Sequence, residues 1–346
     1  MPTIHHETLA DLVARIFAAG GAPDAHAQLV ARSLVLSDLV GHESHGVVRV
    51  RQYLGSIAAG DILPAAEPAV TRETAVVTAV DARRGFGQVA ARFAMERAIE
   101  KARAQGMAAA GIHHCNHVGR MGEWVQLAAD AGLVALGFCN LGTRGAAVAP
   151  HGGARRLLGT NPMAAAVPVA GRRPLLVDFA TSSVAEGKLR VARNRGKPIP
   201  EGWVVRADGL PTTDPADFYA GGALLPFAGH KGYGLAMLVE LLGGLLTDAG
   251  SERPNAANGH GVLFVALAPD LFRPAEGFLR DAAALCARAT AVPPAAGFAE
   301  VLLPGDPEHR TEARRRAEGV PLDDATWGQL TEVAATYGID VGADSI

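Results

Sequence analysis

From about residue 74 onward, the sequence alternates short runs of β-branched and small apolar residues with longer stretches of helical periodicity. Short apolar runs bounded by turn residues are typical of buried strands. Strands that alternate with helices indicate a sheet of the α/β class, so we predict an α/β fold. The predicted strands are TAVVTAV (74–80), MAAAGIH (107–113), LVALGFCN (133–140), MAAAVPV (163–169), PLLVDFAT (174–181), GVLFVALA (261–268) and FAEVLLP (298–304).

Both ends of the chain show helical periodicity instead. Asp24 is predicted to cap the second helix and Ser44 the third, because short polar side chains accept the free N–H groups of a first turn. The last helix is predicted to be capped at Asp323 or Asp324. The terminal helices are predicted over residues 8–21, 25–40, 45–60, 308–319 and 321–338, and helices between strands over 88–106 and 121–132.

Composition limits the class of protein. The 346 residues suffice for one large domain or two smaller ones, and 32 basic against 35 acidic residues give a net charge of −3. No strong field therefore favours nucleic acid or a membrane surface as a partner. Three cysteines, Cys115, Cys139 and Cys286, cannot all pair, which favours free thiols in a reducing compartment. With neither a signal-peptide pattern nor an apolar run long enough to span a bilayer, we expect a cytoplasmic protein.

The segment GFGQVA (85–90) matches the dinucleotide fingerprint, follows a strand-like run and opens a predicted helix. A Rossmann site also needs an acidic residue at the end of the next strand, and that strand ends GIHHCNH without one. We therefore reject an ordinary Rossmann site and interpret the segment as a glycine turn that packs helix on sheet.

Three histidines and a cysteine follow one another in HHCNHVGR (113–120), at the end of a predicted strand. Such ligands suit zinc, so a zinc hydrolase built on His113, His114 and His117 is one alternative. Four neighbouring ligands with no distant partner would form a cramped site, however. We assign no metal and favour a proton-transfer role for one histidine.

The segment SDLVGHESHGVVRVRQY (37–53) places His45, Arg49 and Tyr53 at i, i+4 and i+8 of the predicted third helix. Arginine binds a carboxylate through two hydrogen bonds, tyrosine adds a hydroxyl, and histidine titrates near neutral pH. The apolar residues around this row would carry it into a cleft. A solvated Arg–Tyr face is the alternative.

Two further segments contain candidate phosphate or ribose ligands. Asp178 ends a buried strand and is followed by hydroxyl residues and free amides, which suit phosphate or start a helix. Lys231 lies in a glycine-flanked loop before an apolar helix, where a lysine reaches a phosphate easily. The basic residues between Lys188 and Lys197 face either a cofactor phosphate or solvent.

Six segments occur in an order that resembles the type-2 malate/L-lactate dehydrogenase family, which also includes ureidoglycolate, sulfolactate, diketogulonate and piperideine/pyrroline-2-carboxylate oxidoreductases. The resemblance runs from about residue 8 to 340. Its segments are GHESHGVVRVRQY, HVGRMGEW, GTNPMAAAVP, VDFATSSVAEGK, GKPIPEGWVV with DGLPTTDP, and GHKGYGLAMLVELL.

The resemblance implies an oxidoreductase that uses NAD or NADP and forms a homodimer with its active site near the interface. It also implies a non-Rossmann mixed-sheet cofactor domain (73–218 with 258–306). A helical substrate and dimer domain would be built from the N- and C-terminal segments (1–72 with 219–257 and 307–346).

Individual roles are implied as well. The proton donor of the family's S-H-G motif falls on His45, and a second acid/base candidate falls on His117. The carboxylate-binding arginine falls on Arg49, with Ser44 and Tyr53 beside it. The cofactor contacts fall on Asn140, Asp178, Phe179, Ala180, Thr181, Ser182, Ser183, Lys231, Pro304, Gly305 and Asp306.

The expected reaction is reversible hydride transfer between nicotinamide C4 and C2 of a small 2-oxo or 2-hydroxy acid of the malate or lactate type. Reduction of a cyclic or N-alkyl 2-imino acid is the alternative within the family. His45 would lie at a helix N-terminus, whose dipole disfavours its cation, and Asp178 or the substrate's own carboxylate would offset this. A non-catalytic carboxylate-binding protein is an alternative of a different class.

Overall fold

The computed structural model describes residues 2–142, 145–249 and 259–341. The strands are β1 (Thr3–Ile4), β2 (Ala69–Glu73), β3 (Val77–Asp81), β4 (Met107–Cys115), β5 (Val134–Asn140), β6 (Met163–Val167), β7 (Leu175–Phe179), β8 (Val204–Val205), β9 (Pro211–Thr212), β10 (Ala223–Leu224), β11 (His260–Leu267) and β12 (Val320–Pro321). The helices are α1 (His6–Ala19), α2 (Asp24–Leu39), α3 (Val50–Ala58), α4 (Gly87–Gln105), α5 (Met121–Asp130), α6 (Glu186–Asn194), α7 (Ala216–Tyr219), α8 (His230–Val239), α9 (Ala275–Thr290), α10 (Asp306–Glu318) and α11 (Asp324–Thr336).

Seven strands form the main sheet, in the order β2-β3-β4-β11-β5-β6-β7. Strands β3 and β4 pair in parallel, whereas the other neighbouring pairs of this sheet are antiparallel. A Rossmann sheet is mostly parallel. The predicted α/β fold with a non-Rossmann mixed sheet is therefore confirmed.

Helix α4 connects β3 to β4 and packs with α5 against the sheet. Its buried face is rich in alanine, and so is the facing surface of β4. Small side chains on both surfaces let the helix approach the strands closely. The predicted packing role of GFGQVA is confirmed, because a Cβ on Gly87 would overlap the backbone carbonyl oxygens of Asn116 and His117.

A second core joins the two ends of the chain. It contains buried residues of α1, α2, α3 and α11, among them Phe17, Leu34 and Leu330. Burying a side chain of this size stabilises the fold by roughly 1.5–3 kcal/mol. This core holds the N-terminal helices against the end of the sheet, through contacts that include Phe86.

The middle of the chain packs separately. Leu224 and Ala236 share a third core with Val148, Leu189 and Phe218. The π-helical segment Glu240–Leu245 follows α8 and packs on β5 and β11. The domain boundaries given above stay a prediction, and their parts at 250–257 and 342–346 lie outside the described residues.

Three local predictions need comment. The strand predicted at 298–304 is wrong, since residues 297–303 form turns and irregular backbone with Phe298 72% exposed. Helix α9 was not predicted, because only Cys286 of its residues is fully buried. The cap of α11 is Asp323, as one of the two predicted alternatives had it, and it accepts a hydrogen bond from the Thr326 N–H. Within the described ranges, every helix is too short or too polar to cross a membrane.

Candidate active site

Three histidines, His45, His117 and His260, form what we call the histidine cluster. The rings of His45 and His117 stack with 5.4 Å between their centroids. His260 meets His117 edge-on at 5.8 Å. The hydroxyl of Tyr53 lies 2.6 Å from Nδ1 of His117. The structure thus brings together His45, Tyr53 and His117, as the sequence predicted.

A chain of hydrogen bonds orients His117. The Gln88 amide donates to the Tyr53 hydroxyl oxygen at 2.9 Å, which leaves the hydroxyl hydrogen to point at Nδ1 of His117. In this arrangement Nδ1 is an acceptor, so the proton of the neutral ring is on Nε2. Gln88 belongs to the glycine turn of GFGQVA, and nothing in the sequence pattern predicts this second role.

The prediction that His45, Arg49 and Tyr53 lie on one α-helix is wrong. His45 ends a 3₁₀ turn (Glu43–His45), Arg49 ends another (Val47–Arg49), and α3 begins only at Val50. Between the turns, Gly46 has extended backbone with ψ −155°. Ser44 therefore caps no α-helix. Its hydroxyl lies 3.0 Å from Nδ1 of His45 instead.

Arg49 still belongs to the site. Its Nε donates to the Ser44 carbonyl and its Nη1 to Oε1 of Gln52, each at 2.6 Å. Its positive charge lowers the pKa values of His45, His117 and His260. A guanidinium held by neutral acceptors keeps its charge for an anionic ligand.

A buried carboxyl group supports the turn that carries His45. Asp38 is 2% exposed, and its Oδ2 accepts a hydrogen bond from the Val47 N–H at 2.8 Å. The carboxyl group occupies the space that a Cβ of Gly46 would need. Burial raises the pKa of Asp38 to about 8. The group is thus mainly protonated at neutral pH, and as a neutral hydrogen-bond acceptor it stabilises the turn.

We expect Asp38→Asn to become more stable relative to wild type as pH rises. The pKa of Asp38 is 3.8 in the unfolded chain and about 8 in the folded protein, so folding binds a proton between these two values. The stability that this group contributes to the wild type therefore falls as pH rises from about 4 to about 8. Asparagine keeps an acceptor for the Val47 N–H and does not titrate. The difference in unfolding free energy should grow by about 1.4 kcal/mol per pH unit between about pH 5 and pH 7, as urea unfolding would measure. A difference independent of pH would show that folded Asp38 is ionised.

The histidine cluster is electrically neutral when no ligand is bound. Burial, followed by the charges of Arg49, His42 and Arg120, lowers the pKa of His45 to about 3. Burial and the neighbouring rings hold the pKa of His117 well below its usual range. Burial and Arg49 lower the pKa of His260 to about 4. The cause is therefore burial beside a cation, rather than the helix dipole that the sequence suggested.

His260 was not predicted as a site residue. It begins β11, where it faces Cys115 of β4, and its Nδ1 lies 3.8 Å from Sγ of Cys139. A lone histidine at a strand end carries no sequence signal. Only the insertion of β11 between β4 and β5 brings it to His117.

Arg120 was also missed, although it lies three residues after His117. It is 2% exposed, and its three guanidinium nitrogens have no hydrogen-bond partner within the described residues. Nη1 lies 3.9 Å from Oδ2 of Asp178. A buried guanidinium without hydrogen bonds is costly, so this position favours an anionic or strongly polar ligand in addition to the Asp178 carboxylate.

Asp178 lies beside Arg120 rather than beside His45. Its Oδ2 accepts a hydrogen bond from the Gly122 N–H, at the start of α5, at 2.7 Å. Burial raises the pKa of Asp178, and Arg120 opposes that rise. Asp178 is absent from the charges that shift the pKa of His45. Its catalytic role stays a prediction, whereas its position suits a ligand held by Arg120.

The hydroxyl groups after β7 are used within the protein. Thr181 donates to the carbonyls of Thr160 and Asn161, Ser182 to that of Val184, and Ser183 to those of Leu225 and Pro226. They fix this loop against its neighbours. The hydroxyl oxygens can still accept hydrogen bonds from a cofactor, and so can the backbone at Phe179 and Ala180. Their role in cofactor binding stays a prediction.

The other predicted cofactor residues lie at three places. Asn140 is fully buried, and its side chain bonds to Glu240 and to the Gly261 N–H. Lys231 is exposed in the first turn of α8. The turn Pro304–Asp306 lies beside β7, where the Pro304 carbonyl accepts from Leu176. This turn begins α10, whose Glu308 acts electrostatically on Asp178. The basic side chains between Lys188 and Lys197 are exposed.

His113 and His114 are separate from the histidine cluster. Among the described residues, the group of histidine, cysteine and acidic side chains close enough to share an ion is Asp81, His113 and His114, without His117. The zinc centre of the hydrolase alternative, which required His117, is therefore wrong. All three cysteines are buried and free, as predicted.

Known proteins resemble this chain over nearly its full length. A family model described as malate/L-lactate dehydrogenase matches residues 4–331. Hydroxycarboxylate dehydrogenase B of Escherichia coli is 34% identical, over 96% of this chain and 94% of its own. Delta(1)-pyrroline-2-carboxylate reductase of Ancylobacter novellus is 39% identical, over 90% and 92%.

The fold is shared with solved structures. That of sulfolactate dehydrogenase from Methanocaldococcus jannaschii superimposes with a TM-score of 0.90 at 33% identity, covering 98% of each chain. The residues that the family model matches include His45, His117, Arg120 and His260. The chain is an oxidoreductase and belongs to the malate/L-lactate dehydrogenase family.

Proposed function

We propose that the protein transfers a hydride between a nicotinamide cofactor and C2 of a small 2-oxo or 2-hydroxy acid. The observation that carries this proposal is the stacked pair of His45 and His117 beside the Arg49 guanidinium. An anion anchor next to neutral imidazoles suits an acid whose carbonyl must gain a proton. We keep the predicted homodimer, which sedimentation of the purified protein would test.

The residues present fit a dinucleotide. The guanidinium of Arg120, buried and without hydrogen bonds among the described residues, matches a phosphate or another strongly polar group of the cofactor. Asp178 with Phe179–Ser183, Lys231 and Pro304–Asp306 would complete the binding residues. When bound, the nicotinamide supplies the hydride for reduction and accepts it in oxidation.

Arg49 would bind the substrate carboxylate and so fix which face of C2 is presented. Holding the reacting groups in one orientation contributes several kcal/mol to catalysis in favourable cases. The substrate carboxylate also neutralises the charge that, after burial, most depresses the pKa of His45. Acid binding should therefore raise that pKa and favour uptake of a proton.

His45 would then donate this proton to the carbonyl oxygen as negative charge develops there. Ser44, at 3.0 Å from Nδ1 of His45, can hold the ring so that Nε2 is the donor atom. His117 stacks on His45 and is itself held by Tyr53. This second histidine would hold the ring of His45 in place.

Reduction of a cyclic 2-imino acid is a second candidate, favoured by the relative named as a Delta(1)-pyrroline-2-carboxylate reductase. A protonated imine is already positively charged and accepts a hydride readily. Its reduction gives a neutral amine, so no negatively charged oxygen has to be protonated. The neutral state of the histidine cluster suits such a cationic centre. Arg49 would hold the carboxylate in both reactions.

A substrate panel tests the proposal. Purified protein is mixed with NADH or NADPH and with pyruvate, oxaloacetate, sulfopyruvate or a cyclic 2-imino acid, and loss of reduced nicotinamide is followed by absorbance. We expect turnover of 2-oxo acids without methylamine. Activity restricted to imines, or appearing only with methylamine, would instead assign the second candidate. Binding of an acid without any turnover would contradict both.

A further inference from the structure

The strand end at His113 and His114 contains a second group of possible ligands, away from the histidine cluster. The sequence offered these histidines no distant partner. The structure supplies one, because β3 pairs in parallel with β4 and places Asp81 opposite His113. Nδ1 of His114 lies 3.1 Å from Oδ1 of Asp81, and one ligand atom from each of the three side chains lies within 4.8 Å of the others.

The backbone is bent to bring the two histidines together. Neighbouring residues of a strand normally point to opposite faces. His114 has φ +48°, a left-handed conformation that costs free energy in a residue other than glycine. As a result its ring meets that of His113 with 4.8 Å between centroids. Strain of this type is usually kept where the surroundings or a ligand require it.

The carboxylate is held in place by an equally unusual turn. Arg83 and Arg84 follow Asp81 with φ +50° and +60°. The Arg83 N–H donates to Oδ1 of Asp81 at 2.7 Å, and the Arg84 N–H donates to the His114 carbonyl at 2.9 Å. Both the acid and the histidine are thus attached to the same turn.

The donors suit a late first-row divalent cation. Two imidazoles and one carboxylate bind Zn²⁺ at about 2.0–2.2 Å in tetrahedral geometry, which puts neighbouring ligand atoms roughly 3.3 Å apart. The 3.1 Å between Asp81 and His114 is close to this spacing. The side chains of His114 and Asp81 are 47% and 26% exposed, so an ion can reach them. Asp248 adds a further negative charge that acts on His113.

We propose that Asp81, His113 and His114 form a binding site for a zinc-like divalent cation, with at least one coordination position open to water. The ion would tie the turn after β3 to the end of β4. Asn116, two residues beyond His114, donates to the Arg84 and Gly85 carbonyls of this turn. The site therefore supports the backbone that leads to His117 without touching the histidine cluster.

Titration of tag-free protein with Co²⁺ tests this site, since a tetrahedral cobalt centre has visible absorption bands. We expect saturation at one ion per chain and loss of the bands when Zn²⁺ is added. His114→Asn keeps the left-handed backbone, which asparagine adopts readily, but removes the imidazole. Asp81→Asn keeps the acceptor for the Arg83 N–H but removes the charge. Each variant should weaken binding by at least about 10-fold, the loss seen even for outer partners of metal ligands.

His5→Ala is the matched control. His5 and His6 also form an adjacent pair, with ring centroids 4.5 Å apart and Glu7 nearby, yet they form no three-ligand group among the described residues. This variant should bind Co²⁺ as the wild type does. Binding that survives in His114→Asn, or wild-type protein without saturable binding, would overturn the proposal. If either variant fails to fold, the wild-type titration decides alone, and all these readouts are independent of dehydrogenase activity.

Discussion

Replacing His45 by alanine is expected to lower kcat for reduction of a 2-oxo acid by roughly 100-fold or more. The variant loses the imidazole that stacks on His117 and whose pKa the charge of Arg49 lowers. Alanine cannot protonate the carbonyl oxygen as negative charge develops there, so the barrier to hydride transfer rises. Affinity for the cofactor should be kept, because Arg120 and Asp178 are untouched. Steady-state kinetics and cofactor protection against thermal unfolding measure the two properties.

Two comparisons separate catalysis from general damage. Arg49→Ala should raise KM for the acid much more than it lowers kcat, since it removes an anchor rather than a donor. His5→Ala, at an exposed position just before α1 and outside the histidine cluster, should have wild-type kinetics. Near-normal kcat in His45→Ala would refute the proton-donor role. If activity on a cyclic imine survives while activity on 2-oxo acids is lost, the histidine is needed only where an oxygen must be protonated.

The sequence predicted which side chains meet at the site better than it predicted their backbone. Spacing of four residues suggested one helix for His45, Arg49 and Tyr53. The helix is interrupted because Asp38, nine residues before Val47 and on a different helix, accepts the Val47 N–H and fills the space beside Gly46. This contact depends on tertiary packing, which periodicity does not report. His45, Arg49 and Tyr53 still lie at one site, because the two 3₁₀ turns that replace the helix are short.

Arg120 and His260 show a different limit of sequence reasoning. Arg120 resembles any surface arginine until burial of α5 against the sheet removes it from water. His260 becomes a neighbour of His117 only because β11 enters the middle of the sheet. Charge and strand patterns gave no information on either event. Conversely, the rejection of a Rossmann site needed only the missing acid, a local property, and the mixed sheet agrees with it.

Gly87→Ala is expected to destabilise the protein by about 3 kcal/mol or more, at the upper end of the cost of overpacking. A methyl group there would overlap the carbonyl oxygens of Asn116 and His117, and backbone atoms cannot rotate away as a flexible side chain can. Either α4 moves off the strand end or the backbone at His117 is displaced. Both changes disturb the 2.6 Å contact between His117 and Tyr53, so kcat should fall together with stability. Urea unfolding and steady-state kinetics on one preparation measure both.

Gly55→Ala is the control for this substitution. Gly55 lies in the middle of α3 with no atom within 4 Å of an added Cβ, so alanine should stabilise the helix by up to about 1 kcal/mol and leave kcat unchanged. Wild-type stability and activity in Gly87→Ala would show that α4 does not fix His117. A variant that loses stability but keeps full kcat would separate the two functions, since the glycine turn would then support the fold alone. Loss of both, with Gly55→Ala unharmed, would establish that the dinucleotide-like motif serves the active site through close packing rather than through a phosphate.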